Sequence, residues 1–336
     1  MIRNYKYLLS LTTAIVVIAG NLLGSWWVAG NLVFSLGILA MLEKFVRSNY
    51  DNRFDNDEFL PDTILFLHVL MQVLCLSSLF YSIVYNQLSI AQLIIAAIST
   101  GINSGSSAIV IAHELIHRKN EWYQWAGKFL LFTVGNVYFY VDHLRVHHKW
   151  VGTAKDPATS RYGESLYQFY FRTTAGQFKS ALNNDADRLR KLNITPYGLN
   201  NFVVVSCLLL LVLMVMLFYF YGGKVLAAFI IQAMIANFLL EYTNYIEHYG
   251  LSRNENERVT EFHSWQSDKV ISRYFLIDLS RHADHHYFSS KPYHTLKSYE
   301  NAPVLPGGYV EMIYYALIPS LWFKTIHPIL NKNQKS

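Results

Sequence analysis

Cysteine is nearly missing from this chain of 336 residues: Cys75 and Cys207 are the two, each inside an apolar run on a different expected helix. That excludes a disulfide framework and a thiolate metal site, and it leaves both thiols packed in lipid or core. Charge is scarce as well. Lys, Arg, Asp and Glu make up 15% of the residues, whereas 52% are hydrophobic, a balance that points away from soluble domains and toward a membrane protein. The formal charge of +5 is read as basic loops on the cytoplasmic side of a lipid bilayer, with no nucleic-acid partner. No internal repeat or low-complexity linker divides the chain. The apolar run that begins at Leu8 lacks a small-residue cleavage site, so it reads as a first membrane helix rather than a signal peptide.

What the chain has in quantity is aromatic residues, 24 Tyr and 7 Trp among them, which suit the two interfaces of a bilayer. Apolar runs predict six spans: Leu8 to Leu23, Trp26 to Leu42, about Thr63 to Val84, about Ser89 to Ala112, about Phe202 to Tyr221 and about Val225 to Tyr245. The turns after spans one and three carry no Lys or Arg, while the loop from Glu43 to Asp62 carries Lys44, Arg47 and Arg53, and about a dozen more fall between Arg118 and Asn200. The positive-inside rule then puts both termini in the cytoplasm. Gly101 and Gly105 in span four predict close helix approach. The run from Phe129 to Val141 is short for a span and holds Gly135 and Asn136, so it is expected to be re-entrant or buried. The expected fold is an all-α integral membrane protein in one domain, 1–336. Its spans lie in 8–112 and 202–245, and a cytoplasmic His-rich cap is built from 113–200 and 246–336.

Of the 13 histidines, nine fall into four groups: His113 and His117; His143, His147 and His148; His248; and His282, His285 and His286. Nine neutral imidazoles exceed what one first-row ion holds, which implies two ions. At about 100° per residue, His143 and His147 share one helical face while His148 points about 100° away, so one element could serve two neighbouring ions. His282 and His286 likewise lie within about 40° of each other, and His285 diverges. Asn237, Glu241, Asn244 and His248 follow one face of span six, a polar stripe expected to face a functional interior. Asp142, Asp156, Glu247 and Asp284 are candidates to orient imidazole N–H groups, with Asn244 and Glu241 beside them. His68, alone in span three, is read as a packed, hydrogen-bonded residue; His294 and His327 are read as structural, and His263 stays open as a support to the site.

All-imidazole ligation suits Fe, Cu, Zn or Ni. His113-Glu114-x-x-His117 also fits the zinc-protease helix motif with Glu114 as base, but that reading leaves the other groups unexplained. A His-rich transporter would hold its ligands near the bilayer midplane rather than at helix ends. The segments His113-Glu114-Leu115-Ile116-His117, His143-x-x-x-His147-His148, Asn244-Tyr245-Ile246-Glu247-His248-Tyr249-Gly250 and Arg281-His282-Ala283-Asp284-His285-His286 resemble the four histidine motifs of the membrane-bound alkane 1-monooxygenases, within the membrane fatty acid desaturase and hydroxylase superfamily. Asp156 to Glu164, His263-Ser264-Trp265 and Leu305 to Tyr309 extend the likeness, which runs from about Asn103 to Pro328. The chain departs from the commonest pattern at Arg118, Asp142 and Ser280, changes that bear on substrate preference and spare every histidine.

The resemblance implies a non-haem di-iron centre on the nine histidines, O2 as oxidant, and n-alkanes hydroxylated at the terminal methyl to primary alcohols. It also implies a place in the bacterial inner membrane and electrons from rubredoxin, reduced by rubredoxin reductase. No four-Cys site exists here, so that donor is a separate chain. Arg118, Lys119, Arg145 and Lys149 are expected to form a basic surface suited to an acidic donor. Spans three, four and six are the expected walls of a narrow apolar channel. Xylene side-chain hydroxylases share the motifs, which leaves an aromatic methyl group as the alternative substrate, and acyl desaturation follows as a third reading.

Overall fold

The computed structural model describes residues 4–55 and 57–333. The expected cytoplasmic placement of the termini concerns residues 1–3 and 334–336, which lie outside the described residues. Helices dominate. Six are long and apolar enough to cross a membrane: α1 (Asn4–Leu23), α2 (Ser25–Phe45), α3 (Phe59–Tyr85), α4 (Ile90–His117), α8 (Phe202–Tyr221) and α9 (Gly223–His248). Between α4 and α8 lie α5 (Glu121–Thr133), α6 (139–150) and α7 (Leu166–Lys191). After α9 come α10 (Val270–Phe275), α11 (His282–Tyr287), α12 (Tyr309–Ala316) and α13 (Pro319–Asn333). Among the described residues, β structure is limited to two isolated bridges, Ser48 with Lys269 and Gln266 with Val304.

The spans make antiparallel hairpins whose tight turns gather at one end. Gly24 turns between α1 and α2 at φ +67, where a side chain would meet Asn86 of the turn after α3. Asn86 in turn donates to the Asn21 carbonyl at 3.0 Å, and Val28, Leu79, Ile83, Leu88, Leu217 and Val225 form one apolar cluster there. Lys224 is the single Lys or Arg in these three turns. All the histidine groups sit at the opposite end, where the larger core cluster lies.

Polar side chains fix the register of the apolar spans. His68 on α3 bonds Ser10 of α1 and Ser107 of α4, each at 2.7 Å, the packed role expected for it. Gln72 reaches Ser104 and Thr133 at 3.1 Å, and Thr13 reaches Asn103 at 2.9 Å. In surroundings without water such groups must find partners in the protein, so each bond ties one helix to one height on its neighbour. Gly101 and Gly105 permit the close α4–α9 approach, since a Cβ there would lie 2.7 Å from the Gln232 carbonyl and 2.9 Å from Leu239 Cβ.

The short apolar run takes the re-entrant shape. α5 enters, the chain reverses at Gly135 with φ +67, and α6 returns to the histidine end. Gly135 faces Leu210 and Ala233, roughly halfway along α8 and α9, and Asn136 bonds Asn237 at 2.5 Å. Asn237 therefore belongs to a seam between helices and not to the site. A second latch joins the first hairpin to the C-terminal segment: buried Glu43 of α2 accepts from Ser272 N at 2.9 Å, Glu311 N at 2.7 Å and the Ser272 hydroxyl. One carboxylate thus caps two helix starts. A Cβ at Gly308 would fall on that carboxylate.

Candidate metal centre

Four helices deliver imidazoles to one buried spot. α4 ends in His113 and His117, one turn apart; α9 ends in His248; α11 is a single short helix carrying His282, His285 and His286. The start of α11 is held by buried Arg281, which bonds Asp268 Oδ1 at 3.1 Å and the carbonyls of Leu296 and Asp51 at 2.7 and 3.0 Å. In α6 the ladder widens to a π-helical turn over His143–His147, so His148 N–H donates to the His143 carbonyl five residues back.

That wide turn decides how the imidazoles divide. His113, His117, His143, His148 and His285 converge as one group, and His147, His248, His282 and His286 as another, the nitrogens of each group lying within 4.8 Å of one another. The helical-wheel expectation paired His143 with His147. The structure pairs His143 with His148 instead, because the wide turn brings the fifth residue, not the fourth, back over the first. The expected split of α11 is what the structure has, with His282 and His286 together and His285 apart, its helix being regular. The groups adjoin at His148 and His286, whose ring centroids are 4.7 Å apart.

The donor set fits metal ions. In the first group Nε2 of His143 lies 2.9 Å from Nε2 of His117 and 3.0 Å from that of His148, which is 3.2 Å from Nε2 of His285. Two imidazole nitrogens bound at about 2.1 Å and at right angles to one ion lie about 3.0 Å apart. In the second group, Nε2 of His147 and His248 and both ring nitrogens of His286 are buried without a hydrogen-bond partner, as is Nε2 of His113 in the first. Unpartnered buried nitrogens are costly unless something else binds them. Burial, and then the neighbouring imidazoles, push His143, His148, His282, His285 and His286 well below the usual histidine range. These rings are therefore neutral at pH 7, the form that ligates.

Of the supporting candidates, some reach a ring and some do not. Asp156 Oδ2 lies 2.9 Å from His147 Nδ1 and takes the Thr159 hydroxyl at 2.6 Å. Burial pushes its carboxyl up, but His147 and Thr159 outweigh that and hold it below the usual range. Glu247 Oε2 lies 3.0 Å from His282 Nε2 in a close but bent contact. The backbone carbonyl of His263 lies 3.4 Å from His248 Nδ1, while its own ring faces Thr260 and Glu257. Asp284 is a correction: its carboxylate takes Lys291 Nζ, the Lys297 amide and the Tyr299 hydroxyl, each at 2.8 Å, and so anchors the loop after α11. Asp142 reaches no imidazole either; burial, and then Asp156, push its carboxyl well above the usual range. Glu241 accepts from Gln177 at 2.9 Å and from Asn244 at 3.1 Å, and neither it nor Asn244 bonds a ring. Sequence reasoning missed Gln177, and it included Arg281 and Thr159 only as members of motif segments, without the contacts through which they act.

The zinc-protease reading loses its base, because Glu114 is tied to Arg118 Nε at 2.9 Å and to the Tyr293 amide at 3.3 Å. The same pairing, with Asp62 at 3.3 Å, draws Arg118 out of the expected basic surface, and Arg145 pairs with Asp185 at 3.3 Å. Lys119 and Lys149 stay exposed. His327 bonds the Tyr249 hydroxyl at 2.9 Å, the structural role expected for it.

An apolar cavity of about 80 Å³ is walled by Leu36, Leu39, Ile102, Leu239, Tyr242 and Ile313, among others. Through the shared residues Gly105, Val110, Thr243 and Leu279 it adjoins a smaller space of about 30 Å³ bounded by His113, His143 and His282. The walls come from α1, α2, α4, α9 and the 275–313 segment, with Phe139 and His143 of α6 bounding the smaller space. α3 lines neither space, because its inward polar face is spent on the bonds of His68 and Gln72.

Six helices fit to cross a bilayer, with two convergent imidazole groups at one end, define a membrane-spanning protein whose site could hold metal. The fatty acid desaturase family pattern matches residues 88–316. Alkane 1-monooxygenase 1 of Alcanivorax borkumensis is 31% identical over 90% of this chain and 77% of its own length. Alkane 1-monooxygenase 1 of Pseudomonas aeruginosa is 39% identical over 69% of this chain and 62% of its own length. The xylene/toluene monooxygenase hydroxylase component of Pseudomonas putida is 28% identical over 66% of this chain and 60% of its own length. The match thus spans a little under two thirds of the Pseudomonas aeruginosa relative. The chain belongs to the fatty acid desaturase family and, within it, to the alkane 1-monooxygenase family.

Proposed function

We propose that the protein hydroxylates the terminal methyl of n-alkanes to primary alcohols, holding two iron ions in the two imidazole groups and drawing electrons from a separate rubredoxin. The overall change is RCH3 + O2 + 2 electrons + 2 protons to RCH2OH + H2O. The observation that carries this reading is the apolar cavity that leads from between the spans to His113, His143 and His282. Identities of 31% and 39% to alkane enzymes, against 28% to the xylene component, favour the linear substrate.

Iron supplies the redox chemistry that a strong C–H bond demands and that zinc lacks. The chain supplies the rest. Leu36, Leu39, Ile102 and Leu239 take up hydrocarbon from the bilayer, and Val110 and Leu279 exclude water where its end meets the imidazoles. Asp156 holds a proton on Nδ1 of His147, and the His263 carbonyl does the same for His248, which leaves each Nε2 bare for metal. Terminal selectivity follows from a narrow space closed at the histidine end.

The chain acts as one domain, 1–336, with the cap formed by 113–200 and 246–336 on the cytoplasmic side of the bacterial inner membrane. The scarcity of Lys and Arg in the tight turns supports that orientation. The test is metal analysis of the purified protein, then turnover of octane and p-xylene with rubredoxin, its reductase, NADH and O2. Two irons with 1-octanol are expected. Oxidation of p-xylene alone moves the substrate to an aromatic methyl, and a double bond in an acyl substrate moves the reaction to desaturation. Zinc with no oxygenated product sinks the reading.

A further inference from the structure

Tyr309 is the first residue of α12, far in sequence from every histidine group, yet its ring ends at the site. Both of its backbone groups are tied down: its N–H donates to Ser272 Oγ at 2.6 Å, and its carbonyl accepts from the Tyr242 hydroxyl at 2.5 Å. Its own hydroxyl donates to Glu247 Oε1 at 2.9 Å, and the other oxygen of that carboxylate is the one 3.0 Å from His282 Nε2. The three side chains are 2%, 1% and 3% exposed, so bulk water cannot replace any link. The backbone of Glu247 is fixed too, its carbonyl accepting from Trp265 N at 2.8 Å and Ser264 Oγ at 3.1 Å. The carboxylate in turn is held by Tyr309 through one oxygen.

Glu247 does not itself converge with His147, His248, His282 and His286. It touches the edge of that set at one ring. Given the reading above, in which His282 holds metal, the geometry points to Tyr309 as a positioning residue: through Glu247 it sets the orientation of the His282 ring and so tunes the second imidazole group alone. Groups that orient a ligating imidazole change metal affinity about 10–100-fold when lost, and Tyr309, one bond further out, is placed at the lower end, about 10-fold. Tyr309 also lines the apolar cavity. A wall residue would govern the hydrocarbon, whereas a positioning residue governs the metal, and Tyr309→Phe separates the two because it keeps the ring and removes the hydroxyl.

The experiment is titration of metal-free protein with Co(II), followed by its visible spectrum, with thermal stability measured before metal is added. Wild type is expected to bind two Co(II). In Tyr309→Phe one of the two steps weakens about 10-fold and its absorption bands shift, while the other step and KM for octane stay as in wild type, kcat falls, and the metal-free protein loses only the stability of one buried hydrogen bond. Glu247→Gln reproduces the weakened step. Tyr245→Phe, which removes a different tyrosine hydroxyl, on α9, that donates to the Glu164 carbonyl at 2.8 Å, leaves both steps unchanged. The proposal is overturned if Tyr309→Phe matches wild type in both steps and in spectrum, or if it weakens both steps together with the stability of the metal-free protein. Wild type that binds no Co(II) overturns the metal reading itself, and this proposal with it; normal wild-type binding with an unaltered Tyr309→Phe overturns this proposal alone.

Discussion

His147 shows what one side chain must do at this site. It gives one ring nitrogen to Asp156 and keeps the other bare. Replacing Asp156 with Asn keeps the shape but removes the charge, and it is expected to weaken metal binding at the second group by about 10–100-fold, read by metal titration. The buried, neutral rings carry a second expectation. His143, His148, His282, His285 and His286 are held well below the ordinary value of 6.5 by burial first and by one another second. In unfolded chains they take up protons as pH drops through 6.5, while the folded state does not. Their contribution to the stability of the metal-free protein is therefore constant above that value and is lost progressively below it, while the raised carboxyl of Asp142 acts in the opposite sense; the difference in thermal unfolding between wild type and a variant with these rings replaced, followed from pH 8 to pH 5, will record it. At this scale the nine histidines were legible because their density is itself the signal. The roles of Arg281, Thr159 and Tyr309 were not, although the motif likeness includes all three: Tyr309 meets Glu247 from 62 positions away, and no spacing in the sequence ties the two together.

At the scale of one element, α6 and α11 make a contrast. α11 is an ordinary helix, and its wheel reads correctly from sequence. α6 is not, because its ladder skips a residue at His143–His147, and the wheel assigns His147 and His148 to the wrong partners. A shifted ladder is a property of backbone closure under tertiary load, and the side chains of Leu144, Arg145 and Val146 do not encode it. Deleting Leu144 would restore a regular turn and swing His143 off the first group. The expected outcome is a protein that binds one metal instead of two, measured by metal analysis on folded, monodisperse material. α3 teaches a similar lesson: its apolar composition suits a channel wall, yet its inward residues are polar and already paired.

For the whole molecule, the six spans, the re-entrant segment and the gathering of all four groups at one end were legible, because apolar runs and tight turns leave an antiparallel bundle few ways to assemble. The route of the cavity was not, since it depends on which faces remain after polar seams have closed. Orientation has a direct check. With Cys207 replaced by Ser, a membrane-impermeant maleimide should label Lys224→Cys in right-side-out vesicles and Lys191→Cys in inverted ones; both positions are exposed. The reverse pattern would turn the cap to the outside.

Glu43 and Gly308 meet so closely that neither position is free to drift by itself. As long as the acid caps both α10 and α12, any side chain at 308 must displace it. Loss of the acid removes that constraint, and only then can a side chain enter. Across descendants of this chain the two sites are expected to behave as one inherited character with an order of change built in: the carboxylate disappears first, and the glycine is released afterwards.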